Sequence, residues 1–465
     1  MEQRAHIQEH TVRDTRAIAL VETARDASYG LTLLHGVLAG EAGQAVMALL
    51  QELSSPLPQS TSLARAYSRA FRELAAAANV ERFPHLPDAW QAYLLARLID
   101  DCNPWSAQVE RLGRERISPT LRVQARRDLR ALQRLFELDA ATVVNLVCDV
   151  IAQDLPVLRD AWEPWHNLAP RESEDDVDVR ATVAALIAEC SDWAELVTPL
   201  EEYWSLYGTG PLARYQMLRW QSQEKQLVGI THPDRIVLSG LVGYERQKAR
   251  LRTNIEHFLA CLPAHDILLY GAPGTGKSST VKALVNTYAQ RGLRLVEIRK
   301  EEIADLPQVV ALLRERAPHY LLFIDDLSFE EHETAYKVLK VLLEGTAEAR
   351  PANVLICATT NRMNLVRENF SERGKPGDDV NWRDSMDEKQ SLVHRFGLRV
   401  TFSIPDQEHY LRIAEELARQ RGLTLSTEEL RTRALQWEHQ HVGRSGRLAR
   451  QFVDDLEAEL KSVEA

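Results

Sequence analysis

The sequence predicts an α/β fold: an αβα sandwich on a five-stranded parallel sheet, with an all-helical amino-terminal domain before it and a helical lid after it. Apolar β-rich runs alternate with helical patterns between residues 239 and 405, which favours a parallel sheet covered on both faces. A glycine-rich loop separates the first of these strands from its helix. From residue 1 to about 205, apolar residues recur at three- and four-residue spacing, which is typical of helices.

These patterns divide the 465-residue chain into four segments. We predict a helical domain over residues 1–205, a linker over 206–238, the αβα core over 239–405 and the lid over 406–465. The linker is interpreted from residues that interrupt regular structure. These residues are Gly208, Gly210, Pro211, Gly229 and Pro233.

The core is organised around a loop that fits the pattern G-x-x-x-x-G-K-[ST]. The apolar strand 267–270 precedes it, and a helical pattern follows it. Glycines let backbone N–H groups turn inward around phosphate oxygens, and the helix that begins near Gly276 directs its positive end at the anion. Lys277 can reach the β- and γ-phosphates of a nucleotide, and the Ser278 hydroxyl can ligate Mg²⁺. The alternative is a chance match in a surface loop. The predicted nucleotide-binding residues are Gly271, Ala272, Pro273, Gly274, Thr275, Gly276, Lys277, Ser278 and Ser279.

Two acids follow the third predicted strand. Asp325 and Asp326 come directly after strand 320–324, and the carboxyl ends of parallel strands meet at one edge of a sheet. We predict that Asp325 holds Mg²⁺ through water and that Asp326 orients or deprotonates the attacking water. The alternative is a pair of solvated acids at a strand end. The other predicted strands are 267–270, 293–298, 353–358 and 398–404.

Three further polar residues are candidates for catalysis. Asn361 follows the fourth strand and could hold the attacking water beside the γ-phosphate. Arg395, placed at a subunit edge, could act as an arginine finger that stabilises transition-state charge in a neighbouring subunit. Ser445 is predicted to cap the closing helix, which puts Arg447 in the first turn, where a cation is disfavoured unless an anion lies near. The alternatives are a loop-capping Asn and two surface Arg side chains.

In this order these pieces resemble the AAA+ ATPases, which are P-loop NTPases, over residues 230–465. More narrowly, the chain resembles the bacterial AAA+ family catalogued as domain of unknown function 815. The phrases that carry the resemblance are Gly-Thr-Gly-Lys-Ser-Ser at 274–279, Asp-Asp-Leu-Ser-Phe-Glu at 325–330, Arg-Pro-Ala-Asn-Val-Leu-Ile at 350–356, Glu-Lys-Gln-Ser-Leu at 388–392, Arg-Phe-Gly-Leu at 395–398 and Arg-Ser-Gly-Arg at 444–447.

The resemblance implies an ATPase that binds ATP and Mg²⁺ and assembles with copies of itself into a ring, expected to be a hexamer. It also implies a role for each candidate residue. Lys277 and Ser278 would be the Walker A residues, Asp325 and Asp326 the Walker B pair, Asn361 sensor 1, Arg395 the finger and Arg447 sensor 2.

Two positions depart from the family pattern. Asp326 stands where many AAA+ proteins have Glu, which is one methylene longer, so we expect slow hydrolysis unless Glu330 assists. His394 stands where an Asp is expected before Arg395, which leaves the local geometry there open.

The sequence leaves three functions open. The chain could be a ring ATPase that remodels an unidentified protein partner, a nucleotide-gated switch or scaffold with little turnover, or a nucleic-acid loader. The net charge of −11 argues against nucleic acid, and so do the adjacent Glu301 and Glu302 after the second strand. Residues 299–307 also lack the aromatic-hydrophobic-Gly pattern with which ring unfoldases thread polypeptide. We therefore expect a protein partner without threading. The polar stretch 371–389 is predicted to be an insertion, either a partner loop or a solvated excursion.

The compartment is inferred from cysteines and from apolar runs. Five cysteines lie far apart and none forms a C-x-x-C pair, which suits a reducing compartment. The first residues lack the basic-then-apolar pattern of a signal peptide, and no apolar run approaches the length of a membrane span. We expect a cytoplasmic protein with no membrane span.

Overall fold

The computed structural model describes residues 15–79, 83, 85–158, 161–168, 179–329, 335–344, 350–361, 392–441 and 443–464. The predicted insertion at 371–389 and Glu330 lie outside the described residues. The chain folds as two compact units, residues 1–214, here the helical unit, and residues 215–465, here the sheet unit. The boundary between the units falls inside the stretch that we interpreted as a linker.

The helical unit is built from α-helices joined by turns and short 3₁₀ segments, as the apolar spacing predicted. Polar residues begin several of these helices: the Asp88 carboxylate accepts from the backbone N–H of Trp90, and Asn103 forms a capping box with Ser106. Apolar faces of the helices form one core. The described helices are α1 (Thr15–Tyr29), α2 (Glu41–Leu53), α3 (Ser60–Ala78), α4 (Ala89–Ile99), α5 (Pro104–Leu112), α6 (Pro119–Phe136), α7 (Ala140–Asp154), α8 (Val179–Glu189) and α9 (Val197–Tyr207).

The sheet unit contains a seven-stranded sheet of the predicted α/β class. All five predicted strands are present, and two more precede them. Parallel pairing joins every pair of neighbours except β1 and β2, which are antiparallel. The order across the sheet is β2-β1-β4-β5-β6-β3-β7. The strands are β1 (Met217–Gln221), β2 (Gln226–Gly229), β3 (Ile267–Gly271), β4 (Leu293–Glu297), β5 (His319–Ile324), β6 (Val354–Thr360) and β7 (Leu398–Phe402).

The two extra strands correct the predicted strand count. They form a hairpin inside the stretch 206–238, where Gly and Pro led us to expect only a linker. Met217 and Trp220 are buried, and β1 pairs with β4. Each strand is only four or five residues long, too short for a clear alternation of apolar and polar residues. Pairing of β1 with β4 and of β2 with β1, rather than local pattern, therefore defines them.

Helices cover the sheet, and a separate group of helices forms the lid. The helices beside the strands are α10 (Glu245–Leu259), α11 (Lys277–Tyr288), α12 (Leu306–Leu313) and α13 (Ala335–Glu344). The lid consists of α14 (Gln407–Gln420), α15 (Thr427–Gln440) and α16 (Gly446–Glu464), which share an apolar core of their own. Within the described part of the chain, no helix is both long and apolar enough to cross a membrane.

Candidate functional site

The predicted site residues follow three strands that are neighbours in the sheet. The glycine-rich loop follows β3, Asn361 follows β6, and the two acids follow β5; the sheet order places β6 between the other two. Because the three strands are parallel, their carboxyl ends lie at the same edge. The sheet therefore brings together groups that are 35 to 90 positions apart in sequence.

The loop between β3 and α11 needs glycine at particular positions. Gly271 has φ +152°, and a Cβ there would lie 2.0 Å from the carbonyl oxygen of Phe402. Gly274 and Gly276 have φ values of +77° and +87°, in the left-handed region that L-residues avoid. Gly276 stands at the amino-terminal cap of α11 and has no side chain that could accept from the first backbone N–H groups, and none of the described side chains does so. Those donors therefore remain for an anion.

The Lys277 ammonium is the cation of the site, and the chain itself engages its hydrogens. The Nζ atom donates to the carbonyl oxygens of Gly271 and Ala272, at 2.8 and 2.9 Å, and to Asn361 Oδ1 at 2.8 Å. Burial lowers the pKa of this ammonium from its ordinary value, against the opposing effect of Asp326 and Asp325. A ligand with negative oxygens would replace these neutral acceptors with stronger ones.

The two acids take separate partners at the same edge. Asp325 Oδ1 accepts from Ser278 Oγ at 2.6 Å and from Thr359 Oγ1 at 2.5 Å. Asp326 Oδ1 accepts from Asn361 Nδ2 at 2.6 Å. Asn361 therefore links Lys277 to Asp326 through the two ends of its amide. The predicted residues join into one hydrogen-bonded network through Thr359, whose Oγ1 also accepts from the Asp326 backbone N–H at 2.9 Å.

Thr359 is a member of this network that sequence analysis missed. It lies in β6, two residues before Asn361, and its side chain is buried. A threonine inside a buried strand usually reflects strand propensity, so nothing in the local sequence separated it from a packing residue. Because β6 lies beside β5, the Thr359 hydroxyl contacts the Asp325 carboxylate and the Asp326 backbone N–H. Only the structure shows these contacts.

The lid reaches the loop through the start of α16. The Arg447 backbone N–H lies 3.4 Å from the Gly274 carbonyl oxygen. A Cβ on Gly274 would lie 3.0 Å from the Ser445 side chain. Ser445 caps α16 as predicted, since its Oγ accepts from the Leu448 backbone N–H at 3.1 Å. The Arg447 side chain is exposed and has no hydrogen-bonding or ionic partner among the residues that the structure describes.

Arg395 is not brought to this network within one chain. Its guanidinium forms an ion pair with Glu344 at the end of α13. The side chain is half-buried, and its Nε atom is buried without a hydrogen-bond partner among the described residues. The neighbouring His394 approaches Arg399 instead, with 3.4 Å between Nδ1 and Nη1. The predicted finger is therefore paired inside its own chain.

Comparison with known proteins identifies the family. The family described as "Protein of unknown function (DUF815)" matches residues 213–460, more than half of the chain. The chain belongs to this family. The match covers the glycine-rich loop, both acids, Asn361, Arg395 and Arg447.

Curated relatives of this DUF815 chain include two proteins of Schizosaccharomyces pombe. The 26S proteasome regulatory subunit 6B homolog is 31% identical over 121 residues, which are 22% of this chain and 31% of that protein. The ATPase family gene 2 protein is 26% identical over 168 residues, which are 31% of this chain and 20% of that protein. The chain thus spans less than a third of the length of these relatives. The predicted resemblance to AAA+ ATPases is confirmed.

A solved structure similar to this DUF815 chain is the Thermotoga maritima RuvB Holliday junction branch migration motor. It is 16% identical and aligns with 50% of this chain and 67% of its own, with a TM-score of 0.36.

The donor set of the DUF815 chain fits a magnesium-bound triphosphate. The Lys277 ammonium and the uncapped N–H groups of α11 suit phosphate oxygens. Ser278 and Asp325 present hydroxyl and carboxylate oxygens, the hard ligands that Mg²⁺ prefers. A Cβ added to Gly276 would meet no atom of the described residues within 4 Å, so these residues do not fill the space beside the loop.

Proposed function

We propose that this chain binds and hydrolyses Mg-ATP at the edge formed by β3, β6 and β5, and that it works as a ring of identical subunits that remodels or regulates a protein partner. One observation carries the nucleotide part of the proposal. Lys277, Ser278, Asp325, Asp326 and Asn361 come from three strand ends, and Thr359 joins their hydrogen bonds into one network.

Each residue has a task that follows from its chemistry. Lys277 would hold the β- and γ-phosphates, and the N–H groups of the loop would cradle them. Ser278 and Asp325 would hold Mg²⁺, which neutralises charge on the phosphate oxygens. Asp326 and Asn361 would hold the attacking water between them. Arg447 lies at the lid segment that touches Gly274, so its exposed guanidinium could turn to the phosphates.

The proposed ring and the proposed protein partner are supported by separate observations. The AAA+ resemblance implies a ring, expected to be a hexamer, and Arg395 then has a role only if it reaches a neighbouring subunit. One curated relative is named a regulatory subunit of the 26S proteasome, so by its name it works within a larger assembly. The acidic net charge of −11 favours a protein partner over nucleic acid.

A nucleotide-gated switch with little turnover is the second candidate. The observation in its favour is the short acid at position 326, whose carboxylate is already engaged by Asn361 at 2.6 Å. A base held in this way is less available to water. The rate of phosphate release per bound nucleotide distinguishes a slow switch from a working ATPase.

Removal of the Lys277 ammonium tests the site. We expect Lys277→Ala to show no measurable binding of a fluorescent ATP analogue, because Lys277 is the only cationic side chain of the loop 271–279. Lys282→Ala is the matched control, since Lys282 lies in the same helix, is half-buried and should bind the analogue as the unchanged chain does.

The same two variants also show which result would contradict the proposed nucleotide site. If Lys277→Ala is folded by circular dichroism and binds the analogue as tightly as Lys282→Ala, the loop is not the nucleotide site. If the unchanged chain binds the analogue but releases no phosphate, the switch replaces the ATPase as the proposed function.

A further inference from the structure

Asp325 and Asp326 are adjacent in sequence, yet their side chains contact residues of the same site. Successive side chains of an extended strand point to opposite faces of a sheet, so Asp325 and Asp326 should diverge after β5. Both nevertheless contact residues of the same site, Asp325 through Ser278 and Asp326 through Asn361. The backbone shows how: Asp326 has φ +51°, a left-handed conformation that costs free energy for a residue with a Cβ. Contacts with other residues must therefore stabilise this backbone conformation.

Thr359 makes the contacts that can do this. Its Oγ1 accepts from the Asp326 backbone N–H at 2.9 Å and lies 2.5 Å from Asp325 Oδ1. Its backbone carbonyl accepts from the Leu327 N–H at 2.7 Å. The side chain is 1% exposed, so water does not compete for these bonds. One residue of β6 therefore holds three consecutive residues that leave β5.

The direction of each hydrogen bond is fixed. A threonine hydroxyl has one hydrogen and two lone pairs. Because the Asp326 N–H occupies a lone pair, the single hydrogen is donated to the Asp325 carboxylate. Ser278 donates to the same Oδ1, so both hydroxyls orient the carboxylate through one oxygen. Asp325 Oδ2 accepts no hydrogen bond from the described residues and stays available as a ligand.

We propose that Thr359 is a positioning residue that sets the directions of the two acids: its hydroxyl orients Asp325 towards Mg²⁺ and holds the Asp326 peptide so that its carboxylate faces Asn361. This inference rests on the proposed function of the site. The hydroxyl transfers no proton and touches no substrate. Its effect reaches the reaction through the metal ligand and through the residue that holds water.

The test uses Thr359→Val, which removes the hydroxyl and keeps the branched shape. We expect binding of a fluorescent ATP analogue in EDTA to be unchanged. The Mg²⁺ concentration that gives half-maximal turnover should rise about 10-fold, as for other residues that orient a metal ligand. We expect kcat to fall about 10-fold with KM nearly constant. Thr359→Ser keeps the hydroxyl and should restore both quantities.

A second readout does not depend on nucleotide. In Thr359→Val the Asp326 amide loses its acceptor, whereas the Leu327 amide keeps the backbone carbonyl of residue 359. Residue-resolved hydrogen exchange should therefore accelerate about 10-fold at Asp326 and stay constant at Leu327, since a buried hydrogen bond contributes on the order of 1 kcal/mol. Thr359→Ser should exchange as the unchanged chain does.

The outcomes separate the two proposals. An unchanged Mg²⁺ dependence in a folded Thr359→Val chain, or equal exchange at Asp326 with and without the hydroxyl, overturns the positioning role. Failure of the unchanged chain to bind the ATP analogue overturns the proposed function, and the exchange experiment then still decides whether Thr359 holds the acids. If Thr359→Val does not fold, Thr359→Ala and Thr359→Ser give the same comparison.

Discussion

The helical unit and the sheet unit use acidic side chains in different ways. In the helical unit, Asp128 is completely buried, and its Oδ2 accepts from the backbone N–H groups of Thr32, Leu33 and Leu34. In the sheet unit, Asp325 and Asp326 are exposed, and other side chains donate to their carboxylates. Backbone donors cannot change partners without local unfolding, whereas side-chain donors can rotate towards a ligand. Asp128 therefore holds the fold, whereas Asp325 and Asp326 are available for chemistry.

Two arginine–glutamate ion pairs, one in each unit, differ in how deeply the glutamate is buried. Arg122 and Arg395 are similarly exposed, at 31% and 28%, and each pairs with one glutamate. The partner of Arg122 is Glu201, 3% exposed, which also accepts from Trp105 Nε1 at 2.9 Å. The partner of Arg395 is Glu344, 35% exposed. Loss of Arg122 would leave a buried charge uncompensated, whereas Glu344 can be hydrated when Arg395 leaves.

The largest expected effect is on turnover. We expect Arg395→Ala to bind ATP nearly normally but to hydrolyse it about 10³-fold more slowly or worse, because a finger supplied by a neighbouring subunit contributes about 10³–10⁵ in rate. Mixed with Lys277→Ala at ring-forming concentrations, it should regain activity, since one type of interface then has an intact loop and an intact finger. Phosphate release from the mixture is the measurement.

The mixing experiment can also contradict the assignment of Arg395 as a finger. If mixed rings are demonstrated and no activity returns, Arg395 acts in its own chain, and its ion pair with Glu344 is structural. Arg122→Ala is the matched control for this experiment, because it removes an arginine of similar exposure from the helical unit.

Arg122→Ala should have its main effect on stability. We expect a loss of about 3 kcal/mol in the free energy of unfolding, because the buried Glu201 carboxylate loses its cation. Hydrogen exchange of the amides in α5 and α9 reports this locally, and turnover per folded molecule should not change. Addition of Glu201→Gln should restore part of the loss, since a neutral amide needs no countercharge. Unchanged protection of α5 and α9 would contradict the structural role.

The smallest effect concerns an acid of the sheet unit that serves the fold. Asp305 accepts from Lys225 Nζ at 2.7 Å, from Ser222 and from Trp220 Nε1 at 3.0 Å, and these bonds, that of Lys225 first, lower its pKa to about 2. A carboxyl whose folded pKa is depressed contributes stability above its unfolded pKa of 3.8, and this contribution is lost as the pH falls towards about 2.

Asp305→Asn should therefore lower the free energy of unfolding at pH 7 by about 1 kcal/mol, the scale of a solvent-accessible ion pair. The difference from the unchanged chain should narrow as the pH falls below 3.8. Urea unfolding of the full chain at several pH values measures it. Glu301→Gln, at a nearby exposed acid, should change nothing at any of these values. A difference that does not depend on pH would assign the effect to packing of the side chain.

The sequence by itself determined the features that depend on a few consecutive residues. The glycines of 271–278 specify the loop because their backbone needs φ values that other residues avoid. Five apolar runs predicted five strands of the sheet. The alternation of strand and helix made the sheet parallel, and parallel strands bring their ends to one edge. These rules predicted the meeting of Lys277, Asp325, Asp326 and Asn361.

The tertiary structure alone decided the contacts between residues that are distant in sequence. The strand β1 is defined by pairing with β4, 78 positions away, and β2 by pairing with β1, and their short sequences gave no independent signal. Thr359 acts on acids more than 30 positions earlier, which only the β5–β6 neighbourhood reveals. Arg395 and Glu344 pair across 51 positions. In each case the fold determines the partner, because a side chain can contact only the groups that the backbone brings close to it.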